Sequence, residues 1–352
     1  MAEINRVLRL DAKHRLWLEE QPIPAPGAGE VLIRVRANGI CGSDLHFFAR
    51  GVLGPYVVTE PYTPGHEACG EIVALGASVT GRRVGEAVAI EPGIPCRRCR
   101  YCKMGRYNQC PDVRFLSVPG IDGTFRDYVT VPADFAHPMP SGMSWEQGAC
   151  IEPVAVAVHA INRARLALGA TVAVLGVGPI GLLTVQAALA AGAGQVLALD
   201  RQEMRLALAR ELGATPVHIE REEPVQAVRA LTGDEGADVT LETAGHSSAT
   251  MLAPEITATA GVIVQVGWPE IERVPYKIET ILAKELDLRG VNRYANAFPP
   301  ALSLVGRGAI RVQPIITHRF ALEDAPAAFA FAHAHPDQVI KVIVLNEKPP
   351  AG

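Results

Sequence analysis

The pattern of apolar and polar positions along the chain changes near residue 155. Before that point, short apolar runs such as VLIRVRANGI, EIVALG and EAVAIEP are separated by turns rich in Gly and Pro, which is typical of irregular, mostly β structure. After it, strand and helix patterns alternate, as in TVAVLG, PIGLLTVQAALAAG, QVLALD and QEMRLALARELG. This alternation, with nearly all-apolar strands, predicts a parallel sheet covered by helices on both faces.

Past about residue 290 the less regular pattern with prolines returns, so two domains are predicted for the 352 residues. Residues 1–155 and 291–352 are expected to form a mostly β domain, and residues 156–290 a doubly wound α/β domain. The most apolar stretch, residues 171–194, contains Gly and Pro and follows a β-then-α pattern. A buried βα unit is therefore expected there rather than a transmembrane span.

Composition and charge describe a globular protein. Hydrophobic residues make up 49%, charged residues 20%, and the formal net charge is −4, which gives no reason to expect nucleic acid or an anionic membrane as a partner. The first residues, MAEINRVLRLDAKHRLWLEE, contain no uninterrupted apolar segment, so a secretory signal peptide is not expected. We therefore predict a reducing, cytoplasmic location, where closely spaced cysteines indicate metal or catalytic sites before disulfides.

Four of the seven cysteines lie in one short stretch, CRRCRYCKMGRYNQC. Cys96, Cys99, Cys102 and Cys110 are separated by two, two and seven residues, and CxxC turns let two thiolates reach one tetrahedral ion. Four thiolates close the coordination shell, so the spacing predicts a structural zinc that leaves no position for a substrate. A redox-active or incidental cysteine cluster is the alternative.

A glycine-rich turn lies between the first strand and the first helix of the α/β region. Gly176, Gly178 and Gly181 form GVGPIG, the context in which the backbone approaches a dinucleotide pyrophosphate at a helix N-terminus. The next strand ends at Asp200, 19 residues after Gly181, where a carboxylate can bind the adenosine ribose. Asp200 favours NAD because it repels a 2′-phosphate. The neighbouring Arg201 could offset that repulsion, so NADP stays an alternative.

A second set of candidate ligands lies in the β region. GICGSDLH and PGHEACGEIVALG supply Cys41, His66 and Glu67, a sulfur, nitrogen and oxygen set suited to a catalytic zinc with an open position. Gly65 allows a sharp turn before the His and Glu. Taken alone, Cys41 is equally consistent with a buried structural thiol, and His66 with a hydrogen-bonded polar residue.

With these motifs in place, the whole chain resembles the zinc-dependent medium-chain dehydrogenases, and within them the polyol branch of sorbitol and xylitol dehydrogenases. The resemblance rests on GHEACGEIVALG, CKMGRYNQC, GACIEPVAVAVHA, GVGPIG and RGVNRYAN followed by ITHRFALEDAPAAF. It implies a mostly β GroES-like catalytic domain, a Rossmann NAD-binding domain and a homo-oligomer, either a tetramer or a dimer. It also implies two zinc ions per chain, one catalytic and one structural.

The resemblance assigns roles around the catalytic zinc. Cys41, His66 and Glu67 become its ligands, and Glu152 becomes an alternate ligand or the group that holds its water. Ser43 and His46 match a proton relay from the zinc-bound oxygen toward solvent, although spacing alone leaves a turn hydroxyl and a surface imidazole as alternatives. The implied substrate residues are Phe47, Glu152, Arg293 and Tyr294. Phe47 stands where many polyol dehydrogenases have a tyrosine, which leaves the preferred polyol or diol open.

On the cofactor side, the resemblance adds residues to the glycine turn. Ile180, Asp200 and Arg205 are placed along the adenosine and pyrophosphate. Residues at the nicotinamide end are Val266, Gly267, Trp268, Val291, Asn292 and Arg293. Without the resemblance, Arg205 could be an ordinary exposed helix residue, and the run GVIVQVGW, residues 261–268, fits an edge strand or an internal strand equally.

The implied function is oxidation of a secondary hydroxyl of an alditol to a ketose, through zinc-assisted alkoxide formation and hydride transfer to NAD. The expected partner is a small-molecule polyol or diol, with no nucleic acid and no membrane. Two alternatives stay open. One is an L-threonine or vicinal-diol dehydrogenase of the same family, and the other is a non-catalytic nucleotide-binding redox sensor.

Overall fold

The computed structural model describes residues 4–269, 271 and 273–347. The strands in this part of the chain are β1 (Ile4–Leu10), β2 (Leu16–Pro22), β3 (Glu30–Gly39), β4 (Val52–Leu53), β5 (Tyr56–Val57), β6 (Glu67–Leu75), β7 (Ala87–Ile90), β8 (Gly93–Ile94), β9 (Arg114–Phe115), β10 (Tyr128–Pro132), β11 (Ala136–Pro138), β12 (Thr171–Leu175), β13 (Gln195–Asp200), β14 (Thr215–His218), β15 (Ala237–Glu242), β16 (Thr257–Gln265), β17 (Asp287–Gly290), β18 (Ile316–Ala321) and β19 (Lys341–Leu345).

The α-helices are α1 (Gly42–Arg50), α2 (Arg100–Lys103), α3 (Trp145–Ala149), α4 (Ile151–Ala164), α5 (Pro179–Ala190), α6 (Glu203–Glu211), α7 (Pro224–Leu231), α8 (Ser247–Ile256), α9 (Ile278–Ala283), α10 (Phe298–Gly306) and α11 (Ala325–Ala334). Short 3-10 turns cover Tyr107–Gln109, Ala133–Phe135, Gln313–Ile315 and Leu322–Asp324. Among the described residues, no helix combines the length and the apolar character needed to cross a membrane.

The chain divides into two compact units. The first holds the residues up to Glu152 and those from Ile316 onward, and the second holds Pro153–Ile315. From the sequence pattern, the chain was expected to rejoin the first unit earlier, at residue 291. Gln186 of α5 explains part of the difference, because its Nε2 donates to Arg311 O at 3.1 Å and its Oε1 accepts from Arg311 N at 2.7 Å. The assignment of functional domains stays a prediction.

The first unit is built on a seven-stranded sheet in the order β11-β7-β6-β3-β19-β18, with β10 also paired to β3. Strand β3 is the centre of this sheet, since it pairs antiparallel with β6, β10 and β19. Its side chains Val31, Ile33 and Val35 are buried together with Ile72 of β6 and Ile90 of β7. This architecture confirms that the first unit is mostly β.

The second unit is a parallel six-stranded sheet in the order β14-β13-β12-β15-β16-β17, which confirms the predicted Rossmann class. Val172, Ala173 and Val174 of the central strand β12 are fully buried, as expected of a sheet covered on both faces. Strand β12 and helix α5 form the βα unit predicted for residues 171–194. Strand β16 lies between β15 and β17, so the run at 261–268 is mostly an internal strand.

Candidate functional site

Cys41, His66 and Glu67 form a cluster in the first unit, with one ligand atom from each lying within 4.8 Å of the others. Cys41 follows strand β3, while His66 and Glu67 stand at the start of β6. The two strands pair antiparallel with Gly39 opposite Glu67. This register brings together ligands that are distant in the sequence, and it buries His66 and Glu67.

The turn before these ligands depends on Gly65. Its φ is +98°, a conformation that favours glycine, and a Cβ there would come within 2.5 Å of the Phe125 ring. Its N–H donates to Ser117 Oγ at 2.8 Å and to Asp44 Oδ1 at 3.3 Å. The sharp turn predicted at Gly65 is therefore present and is held by buried polar partners.

Asp44 is a fully buried carboxylate that connects the two halves of the cluster. Its Oδ2 accepts from Cys41 N at 3.0 Å, and its Oδ1 accepts from Ser117 Oγ at 2.8 Å. Oδ1 also lies 3.7 Å from His66 Nδ1, which is too far for a hydrogen bond but close enough for the carboxylate charge to act on the imidazole. Asp44 was not predicted from the sequence. It is the third residue of α1, and its bond from the N-cap Cys41 is one half of a capping box, but a cysteine at the N-cap does not match the usual Ser or Thr signature.

Lys341 is the second buried supporting residue that the sequence analysis missed. It begins strand β19, is 2% exposed, and its Nζ forms an ion pair with Glu67 Oε2. The same nitrogen donates to Ile40 O at 3.0 Å. Burial alone lowers the pKa of Lys341, but the negative charges of Glu67 and Cys41 outweigh it and raise the pKa above its ordinary value. The lysine therefore stays charged beside the candidate ligand.

The charges around His66 are mainly negative. Burial lowers the pKa of its imidazole, but Asp44, Cys41 and Glu152 outweigh that effect and raise the pKa well above its ordinary value. Glu152, in the first turn of α4, is 6% exposed and lies outside the three-residue cluster. Surroundings that stabilise a positive charge on the ring also favour a bound cation. Together with the sulfur, nitrogen and oxygen donors, they fit zinc.

Helix α1 carries the remaining predicted residues of this site. Ser43 and His46 are both half-buried on it, one turn from Cys41. Phe47 is 3% exposed and packs with Leu10, Val58 and Tyr62 in an apolar cluster. Its ring therefore contributes to the core of the first unit. The substrate role of Phe47 and the relay role of Ser43 and His46 stay predictions.

The four cysteines of the second cluster also come together, with their sulfur atoms within 4.8 Å of one another. Cys96 N donates to Cys110 Sγ at 3.3 Å, and Cys102 N donates to Cys99 Sγ at 3.5 Å. The backbone N–H groups of Arg98 and Cys99 contribute most to lowering the pKa of Cys96, to about 7. Four convergent thiols, one of which ionises readily, fit a tetrahedral zinc with a closed shell.

A buried carboxylate anchors this cysteine lobe, residues 96–110, to the sheet. Glu91 follows strand β7 and is 2% exposed. Its Oε1 accepts from Tyr107 OH at 2.7 Å, and its Oε2 lies 2.7 Å from His137 Nε2. Tyr107 stands between Cys102 and Cys110, and His137 lies in β11. Each oxygen of the Glu91 carboxylate therefore contacts a partner from a different element.

The glycine turn of the second unit has the conformation a dinucleotide motif requires. Gly176 has φ of +83°, and Gly178 is the N-cap of α5. Asp200 braces this turn, because its Oδ2 accepts from Val177 N at 2.8 Å and its Oδ1 accepts from Arg201 N at 2.7 Å. The N-terminus of α5 thus presents backbone N–H groups at a defined position.

Ile180 and Arg205 lie at the same end of the sheet, on α5 and α6. The guanidinium of Arg205 has Nη1 4.0 Å from Asp200 Oδ2, and its side chain is 20% exposed. Burial lowers the pKa of Arg205, and Asp200 partly restores it. Arg205 is therefore not an exposed residue of its helix, and its role along the cofactor stays a prediction.

Residues predicted at the nicotinamide end follow two neighbouring parallel strands. The N–H groups of Val266 and Gly267 donate to Glu242 O at 2.8 and 2.9 Å, and Val291 N donates to Gln265 O at 2.9 Å. Trp268 is 55% exposed. The structure thus brings residues 266–268 and Val291 to the carboxyl ends of β16 and β17, where open α/β sheets bind ligands.

The next residues form an irregular loop. Asn292 is exposed and Arg293 is half-buried, and Arg293 has φ of +55°, which is uncommon for a residue with a side chain. Tyr294 is 3% exposed, with its ring centroid 5.5 Å from that of Phe298. The substrate roles of Arg293 and Tyr294 stay predictions.

Comparison with known proteins gives consistent matches over most of the chain. Residues 27–141 match the alcohol dehydrogenase GroES-like domain, and residues 179–307 match the zinc-binding dehydrogenase model. A sorbitol dehydrogenase of Bacillus subtilis is 40% identical over 328 residues, which cover 93% of each chain.

Solved structures agree with these matches. A crystal structure of an Escherichia coli oxidoreductase/dehydrogenase of unknown specificity, involved in membrane biogenesis, has a TM-score of 0.94 at 33% identity and covers 98% of this chain and 100% of that one. L-idonate 5-dehydrogenase of Escherichia coli has a TM-score of 0.90 at 31% identity, over 98% and 99% of the two chains.

Proposed function

Because the chain belongs to the polyol branch of the zinc-dependent medium-chain dehydrogenases, we propose that it is an NAD-dependent polyol dehydrogenase. It oxidises a secondary hydroxyl of an alditol, or a related polyol, to the ketone. The single observation that carries this proposal is the cluster of Cys41, His66 and Glu67, which offers three different donors within 4.8 Å. A set of three protein ligands leaves one tetrahedral position open for the substrate.

Zinc in this cluster supplies a Lewis acid that makes a hydroxyl easier to deprotonate, and NAD supplies the hydride acceptor. One thiolate and one carboxylate balance the formal charge of the dication. Asp44 accepts a hydrogen bond from the Cys41 backbone and places a negative charge beside the His66 ring. Ser43 and His46 carry the released proton toward solvent, a task suited to an imidazole because its ordinary pKa is near neutral.

The second unit holds the NAD. The N-terminus of α5 would hold the pyrophosphate, and Asp200 would select against a 2′-phosphate by charge repulsion. The nicotinamide end is held by residues 266–268 and 291–293. Of the substrate residues predicted from the sequence, Arg293 and Tyr294 belong to this unit, and an arginine fork can bind two hydroxyl oxygens at once.

The protein works as a homo-oligomer, a dimer or a tetramer. Strand β17 is an edge of the parallel sheet within the described residues, and Leu288 on it is 50% exposed. Helix α9 leaves Ile278 and Leu282 60% and 71% exposed. A sheet edge with apolar side chains beside it is suited to pairing with a second copy.

The compartment is the cytoplasm. The support comes from the lobe cysteines, because four thiolates that bind zinc must stay reduced, and oxidising compartments favour disulfides instead. A chain purified under reducing conditions is therefore the form to test.

The test measures initial rates of NAD reduction with alditols, vicinal diols and L-threonine, before and after treatment with a chelator, with zinc counted on the same sample. We expect alditol turnover that disappears as one zinc per chain is removed, while the lobe zinc resists. Faster turnover of L-threonine than of any alditol would instead select an amino-alcohol dehydrogenase. No turnover with zinc and NAD both bound would favour a sensor.

A further inference from the structure

Glu242 is a buried carboxylate at the carboxyl end of β15, and no role for it follows from the sequence analysis. It is 0% exposed, and Val239 and Leu241 on the same strand are buried apolar residues. Buried carboxylates are rare unless partners satisfy them. The partners of Glu242 show what it holds together.

The carboxylate joins two loops of the second unit. Its Oε1 accepts from Ala244 N at 3.0 Å and from Gly245 N at 2.8 Å. Its Oε2 accepts from Gln265 Nε2. Glu242 therefore connects the loop after β15, residues 242–245, with the loop after β16, residues 265–268.

These two loops pack backbone against backbone. A Cβ on Gly267 would lie 2.6 Å from Glu242 Oε2 and would overlap Gly245 N. Gly245 has φ of +69°, and a Cβ on it would overlap Trp268 O. Where the two backbones lie this close together, the Glu242 carboxylate is the acceptor for the N–H groups of Ala244 and Gly245.

The first loop is in turn attached to the glycine turn. Thr243 N donates to Leu175 O at 2.9 Å, and Thr243 Oγ1 donates to Gly176 O. A Cβ on Gly176 would lie 2.6 Å from Ala244 Cβ. The loop at 242–245 thus lies directly against the turn that is proposed to bind the pyrophosphate.

Gln265 extends the contacts toward the next strand. Its Nε2 also donates to Gly267 O at 3.0 Å, and its Oε1 accepts from Tyr276 OH at 3.3 Å. Its backbone O accepts from Val291 N. A continuous set of hydrogen bonds therefore runs from the glycine turn through Glu242 to the residues proposed at the nicotinamide end.

We propose that Glu242 is a positioning residue for the dinucleotide, which holds the loop at 265–268 in register with the glycine turn. The proposal rests on the proposed NAD-dependent function and names a residue of the cofactor site that acts through other residues. The ionised form is required, because Ala244 N, Gly245 N and Gln265 Nε2 are all hydrogen-bond donors. A protonated carboxyl would set a fourth donor against them.

The pH dependence follows with a definite sign. Burial raises the pKa of Glu242 to about 7, although hydrogen bonds from Gly245, Ala244 and Gln265 act to lower it. Nearby titratable groups are Tyr276, whose own pKa is raised by burial and by Glu242, and His246, the N-cap of α8, whose Nδ1 lies 2.7 Å from Ser248 Oγ. NADH affinity is therefore expected to rise as the pH passes upward through about 7.

Folding stability is expected to change in the opposite direction. Because the folded pKa of Glu242 lies above the unfolded value of 4.5, the folded protein holds the proton more tightly. The contribution of this group to stability is present below that unfolded pKa and is lost as pH rises through the folded pKa. A purely structural role would make cofactor affinity follow stability, so the opposite trends separate the two roles.

The test titrates the zinc-loaded enzyme with NADH at several pH values, using nicotinamide fluorescence, for the wild type, Glu242→Gln and the exposed control Glu211→Gln. We expect the NADH affinity of the wild type and of the control to rise about 10-fold as the pH passes upward through about 7, and we call this rise the affinity step. Glu242→Gln is expected to bind NADH about 10-fold more weakly than the wild type above that pH and to show no affinity step. The KM for NAD should rise more than kcat falls.

A second variant covers the case in which Glu242→Gln folds poorly. Gln265→Met keeps the carboxylate but removes a hydrogen bond that lowers its pKa, so the affinity step should move to higher pH. Unchanged NADH affinity in Glu242→Gln at every pH, or an unmoved step in Gln265→Met, would overturn this proposal alone. A wild type that binds no NADH would overturn the proposed function as well.

Discussion

The two clusters of candidate metal ligands in the first unit are assembled in different ways. The lobe cysteines lie between residues 96 and 110, and Cys96, Cys99 and Cys102 are only half-buried. The ligands Cys41, His66 and Glu67 come from the ends of two paired strands, and two buried charged residues, Asp44 and Lys341, support them. One site is made by local turns, and the other depends on the register of the sheet.

This difference determines what each site can do. In the lobe, four thiolates around one ion would be the main interaction that holds the loop, and binding energies of about 10 to 16 kcal/mol are typical of such sites. In the buried cluster, the protein itself positions three donors and leaves room for a substrate. Damage to the lobe should therefore affect stability first, whereas damage to the buried cluster should affect turnover first.

The largest contrast is expected between one ligand variant of each site. His66→Ala should lose about one zinc per chain and reduce kcat/KM at least ~1,000-fold, because a Lewis acid supplies several kcal/mol. Cys99→Ala should also lose one zinc, but its main effect should be a lower free energy of unfolding. Zinc analysis, steady-state kinetics and denaturant unfolding of both variants check this. A His66→Ala protein that keeps both zincs would contradict the assignment of the ligands.

The next effect tests the buried ion pair. Lys341→Met leaves Glu67 without its partner, and loss of one member of a buried pair costs about 3 to 5 kcal/mol. Zinc affinity or activity should fall about 10- to 100-fold, as is typical when a residue that orients a ligand is removed. Lys341→Arg keeps the charge and should lose less. Zinc retention during dialysis against a chelator measures the effect, and equal retention in the wild type and Lys341→Met would contradict it.

The contrast between the sites also explains how much the sequence could predict. The lobe was predictable from spacing alone, and so was the glycine turn, because in both the interacting residues are close in the chain. Lys341 could not be predicted in this way. It opens an apolar strand, KVIVL, and its partner Glu67 belongs to a strand at the other end of the sequence.

The same limit applies to the fold. The alternation of apolar strands and helices predicted the parallel sheet correctly, since each element carries its own pattern. The segment after residue 290 was harder to predict, because FPPALSLVG has two prolines near its start and looks irregular. It forms helix α10, and the contacts that place it in the second unit, such as those of Gln186 with Arg311, are not local.

A smaller effect is expected at Asp44. Asp44→Asn keeps the size of the side chain but removes the negative charge near His66 and puts an amide donor near the N–H groups of Cys41 and Gly65. Zinc affinity of the buried cluster should fall about 10-fold, while the lobe zinc is unaffected. Competition with a fluorescent chelator, with each zinc counted, measures this. Equal weakening of both zincs would show that the effect is general instability.

The smallest effect is expected where the lobe meets the sheet. Tyr107→Phe removes the hydroxyl that donates to Glu91 Oε1 at 2.7 Å, while His137 still occupies the other carboxylate oxygen. The free energy of unfolding should fall by about 1 kcal/mol, and the lobe zinc should reach a chelator faster. Turnover should stay unchanged, because the buried cluster shares none of these contacts. Tyr101→Phe, in the same lobe, is the matched control. A loss of activity in Tyr107→Phe would mean that the two sites are coupled and that the separation between local and sheet-dependent assembly is wrong.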